Sequence, residues 1–340
     1  MARRVVITGG AGFVGSQLGR TLRQAGHQVL LVDNMSYGHL ENLVDDAGAI
    51  AAVAFADVRD ANIVRHFEGA DVVFHFAGIA ALPACQTAPQ HAFDVNLSGT
   101  ANVLEASRLA GVQRVIFSST SAVYEANSKL PNSVSDSVAP NLIYAMSKKA
   151  AEDVCRAYAV NYGMDVVVCR FFNVYGPHQD MRRLSPPFTS YVARELAMGR
   201  RPRLFNKSAA KRDYVHTDDV IRLLEKMMTS DRGFAAEVFN IGSGVAHAVP
   251  ELYEIFRRVS GVDLEPEWAE ASSIWDQYPA LFDGKPLSRV RIEKEVYKES
   301  LADIDATVDA FDWTPEIDIE SGLASVWRYA VDLVGSARGA

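Results

Sequence analysis

A glycine-rich turn directly after the first apolar segment constrains the fold more than any other feature of this chain. Residues 4–8, Arg-Val-Val-Ile-Thr, form a strand pattern, and the following run GGAGFVG places glycines at Gly9, Gly10, Gly12 and Gly15. Glycines at this spacing permit a tight turn, a close approach of a pyrophosphate and close packing of a helix on the strand. The sequence therefore predicts a strand, a turn and a helix that bind a dinucleotide.

The first half of the chain alternates short β-branched segments with longer helical patterns, which is typical of βαβ units and a parallel sheet. The near-continuous apolar segment VVVCRFF, residues 166–172, indicates a strand that is buried on both faces. We predict an α/β fold with a Rossmann-type doubly wound parallel sheet. Its strands are expected at 4–8, 28–33, 51–55, 71–76, 114–118 and 165–171, and its helices include 14–25, 92–110 and 144–162.

The pattern changes after residue 176, where proline and arginine become frequent and the strand candidates become shorter. A chain of 340 residues fits one large body with a smaller appended lobe. We expect residues 1–176 to form the dinucleotide-binding domain and residues 177–340 to form mainly a C-terminal α/β lobe that binds the substrate. The strand candidate 238–241 lies in the second segment but can pair with the main sheet of the first.

Charge and composition exclude several classes of partner. The net charge of −8 argues against a nucleic acid, because binding a phosphate backbone needs a basic face. No segment approaches the roughly eighteen apolar residues of a membrane helix. The three widely spaced cysteines, Cys85, Cys155 and Cys169, predict neither disulfides nor a metal site. We therefore expect a cytoplasmic protein without a membrane, nucleic-acid or metal partner.

An acidic residue at the end of the second predicted strand indicates which dinucleotide binds. Asp33 lies eighteen residues after Gly15, at a position from which a carboxylate can bind the hydroxyls of the adenosine ribose. The same carboxylate would repel a 2′-phosphate. The sequence therefore predicts NAD rather than NADP as the cofactor.

Three further residues form a candidate catalytic set. Tyr144 and Lys148 lie four residues apart on a predicted helix, and Thr120 ends the segment Ser-Ser-Thr after a strand, at the sheet edge where such folds bind ligands. A free tyrosine, with a pKa of about 10, is a poor base at neutral pH. We expect Lys148 and a positive nicotinamide ring to lower this pKa, so that Tyr144 can take a proton from a secondary alcohol that Thr120 orients.

Taken in order along roughly the first 245 residues, these motifs resemble the extended short-chain dehydrogenase/reductase superfamily. Within it, the chain is similar to the NAD-dependent epimerase/dehydratase family, and most of all to the UDP-galactose and UDP-N-acetylglucosamine 4-epimerases. The segments that carry the resemblance are TGGAGFVG, the acid at Asp33, HFAG at 75–78, SST at 118–120, YAMSK at 144–148 and RFFNVYGP at 170–177.

The resemblance implies which residues hold the NAD. Asp33 and Asn34 would bind the adenosine ribose, Asp57 and Val58 would flank the adenine, and Phe171 would lie near the nicotinamide. The implied cofactor residues are Gly9, Gly12, Phe13, Val14, Gly15, Asp33, Asn34, Asp57, Val58, Phe76, Ala77, Gly78, Asn96, Ser118, Tyr144, Lys148 and Phe171.

The resemblance also implies a site for a nucleotide-activated sugar, in which Thr120 and Tyr144 contact the sugar. Asn173 and Arg212 would contact the diphosphate, and Phe205 would stack on the nucleobase. A second diphosphate arginine is expected near residue 290, where either Arg289 or Arg291 can fill the role. The nucleobase and the sugar are left open.

Two residues bear on the sugar and on the chemistry. Ser300 lies where the epimerases have a residue that gates the sugar pocket, and its small side chain predicts tolerance of a 2-acetamido group. Glu125 lies where the family has glycine, and its role is open.

The predicted function is NAD-dependent 4-epimerisation of such a sugar through a 4-keto intermediate. A 4,6-dehydratase or a uronic-acid decarboxylase on the same scaffold is the alternative, and a non-catalytic NAD-sensing module is a third. The related dehydratases and decarboxylases carry carboxylates just after the threonine, where this chain has Ser121 and Ala122. The resemblance further implies a homodimer formed through the helices 92–110 and 144–162.

Overall fold

The structure, a computed structural model, describes residues 2–45, 48–284 and 286–339, and for residues 336–339 it describes the backbone alone. The strands are β1 (Arg4–Thr8), β2 (Gln28–Asp33), β3 (Val44–Asp45), β4 (Gly48–Ala49), β5 (Ala52–Phe55), β6 (Val72–His75), β7 (Arg114–Thr120), β8 (Asp165–Phe171), β9 (Asn173–Tyr175), β10 (Arg203–Leu204), β11 (Lys211–His216), β12 (Glu237–Ile241), β13 (Ala246–Ala248) and β14 (Glu267–Trp268).

Helices follow most of the strands. They are α1 (Phe13–Gln24), α2 (Leu82–Thr87), α3 (Pro89–Phe93), α4 (Gly99–Leu109), α5 (Ile143–Tyr162), α6 (Phe188–Ala197), α7 (Thr217–Thr229), α8 (Val249–Ser260), α9 (Arg289–Val296), α10 (Asp305–Phe311) and α11 (Ile319–Gly339).

Within the described residues, seven strands form one parallel sheet in the order β12-β8-β7-β6-β1-β2-β5. The chain runs outward from β1 in one direction and then, from β6 onward, in the other. Ligands of doubly wound sheets bind in the crevice that this reversal opens between β1 and β6. This result confirms the predicted fold class.

Apolar residues cover both faces of the sheet, which explains why its strands lack a polar alternation. On one face α1 and α7 pack on a core that includes Ile7, Leu31 and Phe239. On the other face α4 and α5 pack on a core that includes Val73 and Phe117. The sheet is therefore enclosed between two helical layers.

The second half of the chain contributes to two bodies. Strand β12 pairs in parallel with β8, and α7 packs against α1 on the main sheet. Helices α6, α8 and α11 pack on one another around a separate core, which includes Tyr253, Phe256 and Leu323. Strands β9, β11 and β13 form a separate three-stranded sheet in the order β13-β11-β9.

The predicted helix 92–110 is interrupted by a wider turn. Residues Asp94–Ser98 form a π-helical segment between α3 and α4, and Asn96 lies within it. Such turns often occur at functional sites, because they re-aim a side chain without ending the helix. The apolar pattern of the sequence contains no signal for this π-helical segment. Asn96 within it is hydrogen-bonded to Ile79 and to Ser147, which are distant in the sequence.

Candidate active site

The glycine turn after β1 is closely surrounded by backbone. Gly9 has a φ of +71°, and a Cβ atom there would lie 2.7 Å from the nitrogen of Ala77. A Cβ on Gly15 would lie 2.3 Å from the oxygen of Gly9. Helix α1 begins at Phe13 without a side-chain cap, so its first N–H groups point towards the turn and can bind an anion. This cradle fits the pyrophosphate of a dinucleotide.

The acidic residue at the end of β2 is fixed in place by backbone donors. The carboxylate of Asp33 accepts hydrogen bonds from the N–H of Ala11, at 3.0 Å, and of Met35, at 2.8 Å. Nearby, the amide of Asn34 donates to Asp57 at 2.8 Å, and the ion pair with Arg59 holds the pKa of Asp57 well below its usual range. The carboxylate of Asp57 is therefore anionic at neutral pH.

Two adjoining cavities run along the carboxyl edge of the sheet. The first, of about 120 Å³, includes Asp33 and Asp57 in its lining, and the second, of about 290 Å³, includes Tyr144 and Lys148. Both are lined by Gly9, so they form one groove. Every residue implied for NAD lines one or both of them, except Asn96.

Asn96 supports the groove from behind. Its amide oxygen accepts from the N–H of Ile79 at 2.8 Å, and its amide nitrogen donates to the carbonyl of Ile79 and to the hydroxyl of Ser147. A Cβ on Gly78 would lie 3.0 Å from that amide oxygen. Asn96 therefore ties the loop after β6 to α5, the helix that carries Tyr144.

The candidate catalytic residues meet at the second cavity. Thr120 ends β7 and lines the second cavity together with Tyr144, which is the second residue of α5. Burial raises the pKa of Tyr144 to about 12, although the neighbouring Thr120 hydroxyl and the charge of Arg183 act in the opposite direction. Burial also lowers the pKa of Lys148 to about 8.

A further charge acts on Tyr144. Arg183 is a cation whose charge lowers the pKa of the Tyr144 hydroxyl, and the effect of Lys148 together with bound NAD stays a prediction. The Nε atom of Arg183 donates to the carbonyl of Ser185 at 2.7 Å. Arg183 lies in a segment of irregular structure before α6, where the sequence offered no motif that would single it out.

A buried polar network supports the catalytic strand. Ser119 donates to Glu152, which forms an ion pair with Arg170 at 2.8 Å, and Arg170 also donates to the hydroxyl of Tyr124. Asn240 on β12 accepts from that same hydroxyl. Because buried charges are stable only when they are paired, this network fixes β7, β8 and α5 relative to one another.

A third cavity, of about 410 Å³, lies in the C-terminal lobe and brings together two of the residues implied for the nucleotide. Phe205 and Arg212 both line it, together with Tyr191 and Val296. Arg212 donates from Nε to the carbonyl of Lys298 at 3.1 Å and also to the carbonyl of Glu295. The cavity is thus apolar on its Phe205 side and carries a fixed cation.

Thr120 and Tyr144 line the second cavity, whereas Asn173, Ser300 and Arg291 lie outside the linings of all three cavities. Asn173 donates its amide to the carbonyl of Asp213 at 2.6 Å. Ser300 is buried beside β11, where it exchanges backbone hydrogen bonds with Lys211 and Asp213. Ser300 therefore contacts the strand that carries Arg212 rather than the cavity itself.

Both arginines that were candidates for the second diphosphate contact are held by carboxylates. Arg289 is exposed and paired with Asp276. Arg291 donates to Glu295 at 2.6 Å and to Glu125 at 3.0 Å. Arg291 is thus linked to Glu125, and the assignment of either arginine to the diphosphate stays a prediction.

Two further searches cover the part of the chain that the structure describes. It contains no group of three or more His, Cys, Asp or Glu side chains that could hold a metal ion. Among the helices of residues 2–45, 48–284 and 286–339, none is both long and apolar enough to cross a membrane.

Comparison with known proteins identifies what the chain is similar to. The model of the NAD dependent epimerase/dehydratase family matches residues 5–242. The UDP-glucose 4-epimerase of Streptomyces lividans is 30% identical over 328 residues, which cover 92% of this chain and 96% of that protein.

Solved structures agree along the whole length. The UDP-glucose 4-epimerase of Thermotoga maritima, bound to UDP-glucose, has a TM-score of 0.84 at 28% identity, with 97% of this chain and 99% of that one covered. The UDP-N-acetylglucosamine 4-epimerase of Methanobrevibacter ruminantium, in complex with UDP-N-acetylmuramic acid, has a TM-score of 0.85 at 26% identity, with 98% and 99% covered.

Proposed function

The chain belongs to the NAD-dependent epimerase/dehydratase family, and we propose that it is a 4-epimerase of a UDP-hexose or a UDP-N-acetylhexosamine. NAD is the cofactor of the family, and the groove fits it at both ends. The cradle at Gly9 and Gly15 has no room for side chains, and Asp33 presents a fixed carboxylate to the far end.

In this proposal the residues of the second cavity transfer one proton from and back to the sugar. Tyr144 accepts the proton of the sugar C4 hydroxyl, and Thr120, which lines the same cavity, orients that hydroxyl. NAD, when bound, supplies the reversible two-electron oxidation at C4. The resulting 4-keto sugar rotates in the site, so that the hydride returns to the opposite face of C4. Tyr144 then returns the proton to the C4 oxygen.

The observation that carries this proposal is that, in the described part of the chain, no carboxyl group lines the cavity beside Thr120. None of the residues that line the second cavity is an aspartate or a glutamate. Glu125, the nearest carboxylate along the chain, has a side chain only 1% exposed and accepts hydrogen bonds from backbone N–H groups and from Arg291. Loss of a positioned acid or base costs roughly 10²–10⁴ in rate, which disfavours elimination of water.

Product mass tests the proposal directly. The purified protein is incubated with a panel of UDP-sugars without added cofactor, and the products are separated and weighed by mass spectrometry. We expect an isomer of unchanged mass, with roughly one NAD released per denatured chain, because the cycle regenerates oxidised NAD. Loss of 18 or 44 mass units, which are the masses of water and carbon dioxide, would instead indicate a dehydratase or a decarboxylase, and no turnover would indicate a sensing module.

We further propose that the chain acts as a homodimer in the cytoplasm. Leu109 on α4 and Val160 and Tyr162 on α5 are exposed by 60% or more of their surface, which supports an apolar contact between these helices and a second copy. The three cysteines are buried and free, as suits a reducing compartment. Light scattering of the purified protein tests the dimer.

A further inference from the structure

Glu125 caps the start of the helix that carries Tyr144. Its Oε1 atom accepts the N–H of Leu142 at 2.8 Å and also the N–H of Asn141. These are the two residues directly before α5, whose own N-cap residue, Leu142, makes no side-chain cap. A carboxylate at this place satisfies free donors and interacts favourably with the helix dipole.

The other carboxylate oxygen of Glu125 faces a different element. Its Oε2 atom accepts from Arg291 at 3.0 Å. Arg291 also donates to the side-chain oxygen of Asn141, from Nε at 3.3 Å and from a terminal nitrogen at 3.1 Å, and to Glu295 at 2.6 Å. Arg291 therefore joins α9 to the start of α5 through two separate residues.

The far end of α9 is attached to the third cavity. The amide of Asn206 donates to the carbonyl of Val296 at 3.0 Å, and Val296 itself lines the cavity. Arg212, which also lines it, donates to the carbonyls of Glu295 and Lys298. A continuous set of hydrogen bonds thus runs from this cavity through α9 to the residues before Tyr144.

We propose that Glu125 and Arg291 are a positioning pair, which aligns Tyr144 when a nucleotide diphosphate occupies the third cavity. The inference rests on the proposed function in that Tyr144 is the group being aligned. A diphosphate in the cavity pulls on Arg212, whose hydrogen bonds to the carbonyls of Glu295 and Lys298 shift the end of α9. Arg291 transmits that shift to the start of α5. Arg291 acts through Glu125 and does not bind the phosphate.

Substitution of each partner tests the pair by its effect on kcat and KM. Glu125→Gln keeps one oxygen that can accept the N–H groups before α5. Its N–H₂ group then faces Arg291 and cannot accept a hydrogen bond from it. We expect Glu125→Gln and Arg291→Gln each to lower kcat by about 10-fold to 100-fold, the scale of a small misplacement of a catalytic group, and to leave KM within about threefold. The double variant should be no slower than the slower single variant.

Two further variants complete the kinetic test. Arg291→Lys keeps the charge and should recover part of kcat. Lys149→Gln removes an i,i+4 ion pair with Asp153 elsewhere on α5 and should leave both constants unchanged. If Arg291→Gln raises KM and the Kd of UDP more than about tenfold at unchanged kcat, Arg291 is a phosphate ligand and the proposal is wrong. Additive losses in the double variant would also overturn it.

Hydrogen exchange supplies a readout that does not depend on turnover. In the wild-type protein, UDP should slow exchange of the amides of Asn141 and Leu142, and it should not do so in Glu125→Gln, although calorimetry shows UDP bound to both. Equal slowing in both proteins would refute the pair. If UDP has this effect in a wild type that epimerises no sugar, the pair stands and the proposed function fails.

Discussion

The ammonium nitrogen of Lys148 lies 4.4 Å from the centroid of the Phe117 ring, so the lysine of the catalytic helix stacks on the strand that ends in Thr120. Lys148 is 4% exposed, and burial lowers its pKa to about 8. The ring compensates part of the cost of removing this cation from water. The same contact holds the side chain of Lys148 in position beside the groove.

Lys148→Met is expected to abolish activity and to stabilise the fold at neutral pH. The pKa of Lys148 is lower in the folded chain than the ordinary 10.5, so the unfolded chain binds more protons and wild-type stability rises between pH 8 and 10.5. Below pH 8 the penalty is complete and amounts to at most about 3 kcal/mol. Urea denaturation should show a gain of about 1–3 kcal/mol at pH 7 that shrinks above pH 8; a loss at pH 7 would mean that the charge stabilises the fold.

Arg183→Gln is expected to shift the pH dependence of kcat to higher pH. The charge of Arg183 lowers the pKa of Tyr144, so its removal makes the phenolate harder to form. We expect kcat at pH 7 to fall about threefold to tenfold, the effect of a screened interaction of about 1 kcal/mol. Arg182→Gln, next to it but exposed and paired with Glu41, is the matched control and should leave the profile unchanged.

Asn96→Ala is expected to weaken both the fold and the retention of NAD. The substitution leaves the backbone N–H of Ile79 without its partner, and the carbonyl of Ile79 keeps only the thiol of Cys85 as a donor, which costs about 1–3 kcal/mol in the free energy of unfolding. The loop after β6 should then hold NAD less tightly, and the purified protein should contain less of it. Asn161→Ala, on the exposed end of α5, serves as the control; equal NAD content in both variants would remove Asn96 from cofactor binding.

Ser300→Tyr is expected to suppress turnover of UDP-N-acetylhexosamines more than tenfold and to spare plain UDP-hexoses, if Ser300 gates the sugar. Ser300 is buried and forms a bridge to Arg212, so a tyrosine there must extend towards the substrate side or displace β11. Thermal melting distinguishes these outcomes, and Ser300→Ala should retain both activities. Equal losses on both sugars in a folded Ser300→Tyr variant would exclude the gate.

The main sheet was predictable because its signals are local. The strands Arg4–Thr8, Gln28–Asp33 and Asp165–Phe171 have the predicted bounds, since each is a continuous apolar segment between turn residues. The glycine turn also lies where the sequence placed it. The π-helical segment at Asp94–Ser98 was not predictable, because the contacts of Asn96 with Ile79 and Ser147 come from distant parts of the chain.

The same distinction applies to the site. The residues of the groove follow strand ends, and strand ends can be predicted from the sequence. The residues predicted to bind NAD therefore line the groove, with the exception of Asn96. The partners of Glu125 could not be inferred, because 166 positions separate it from Arg291. For the same reason, the sequence, which left the phosphate contact open between Arg289 and Arg291, gave no signal that Arg291 pairs with two carboxylates.

Proton NMR of the reaction product tests the central claim most directly. The protein is incubated separately with UDP-glucose, with UDP-N-acetylglucosamine and with UDP-glucuronic acid, and the spectrum is followed to equilibrium. We predict new signals of the C4 epimer beside those of the starting sugar, reached from either side, and no such signals with Tyr144→Phe. A C6 methyl signal, or a pentose formed from UDP-glucuronic acid, would contradict the account, as would an unimpaired Tyr144→Phe variant.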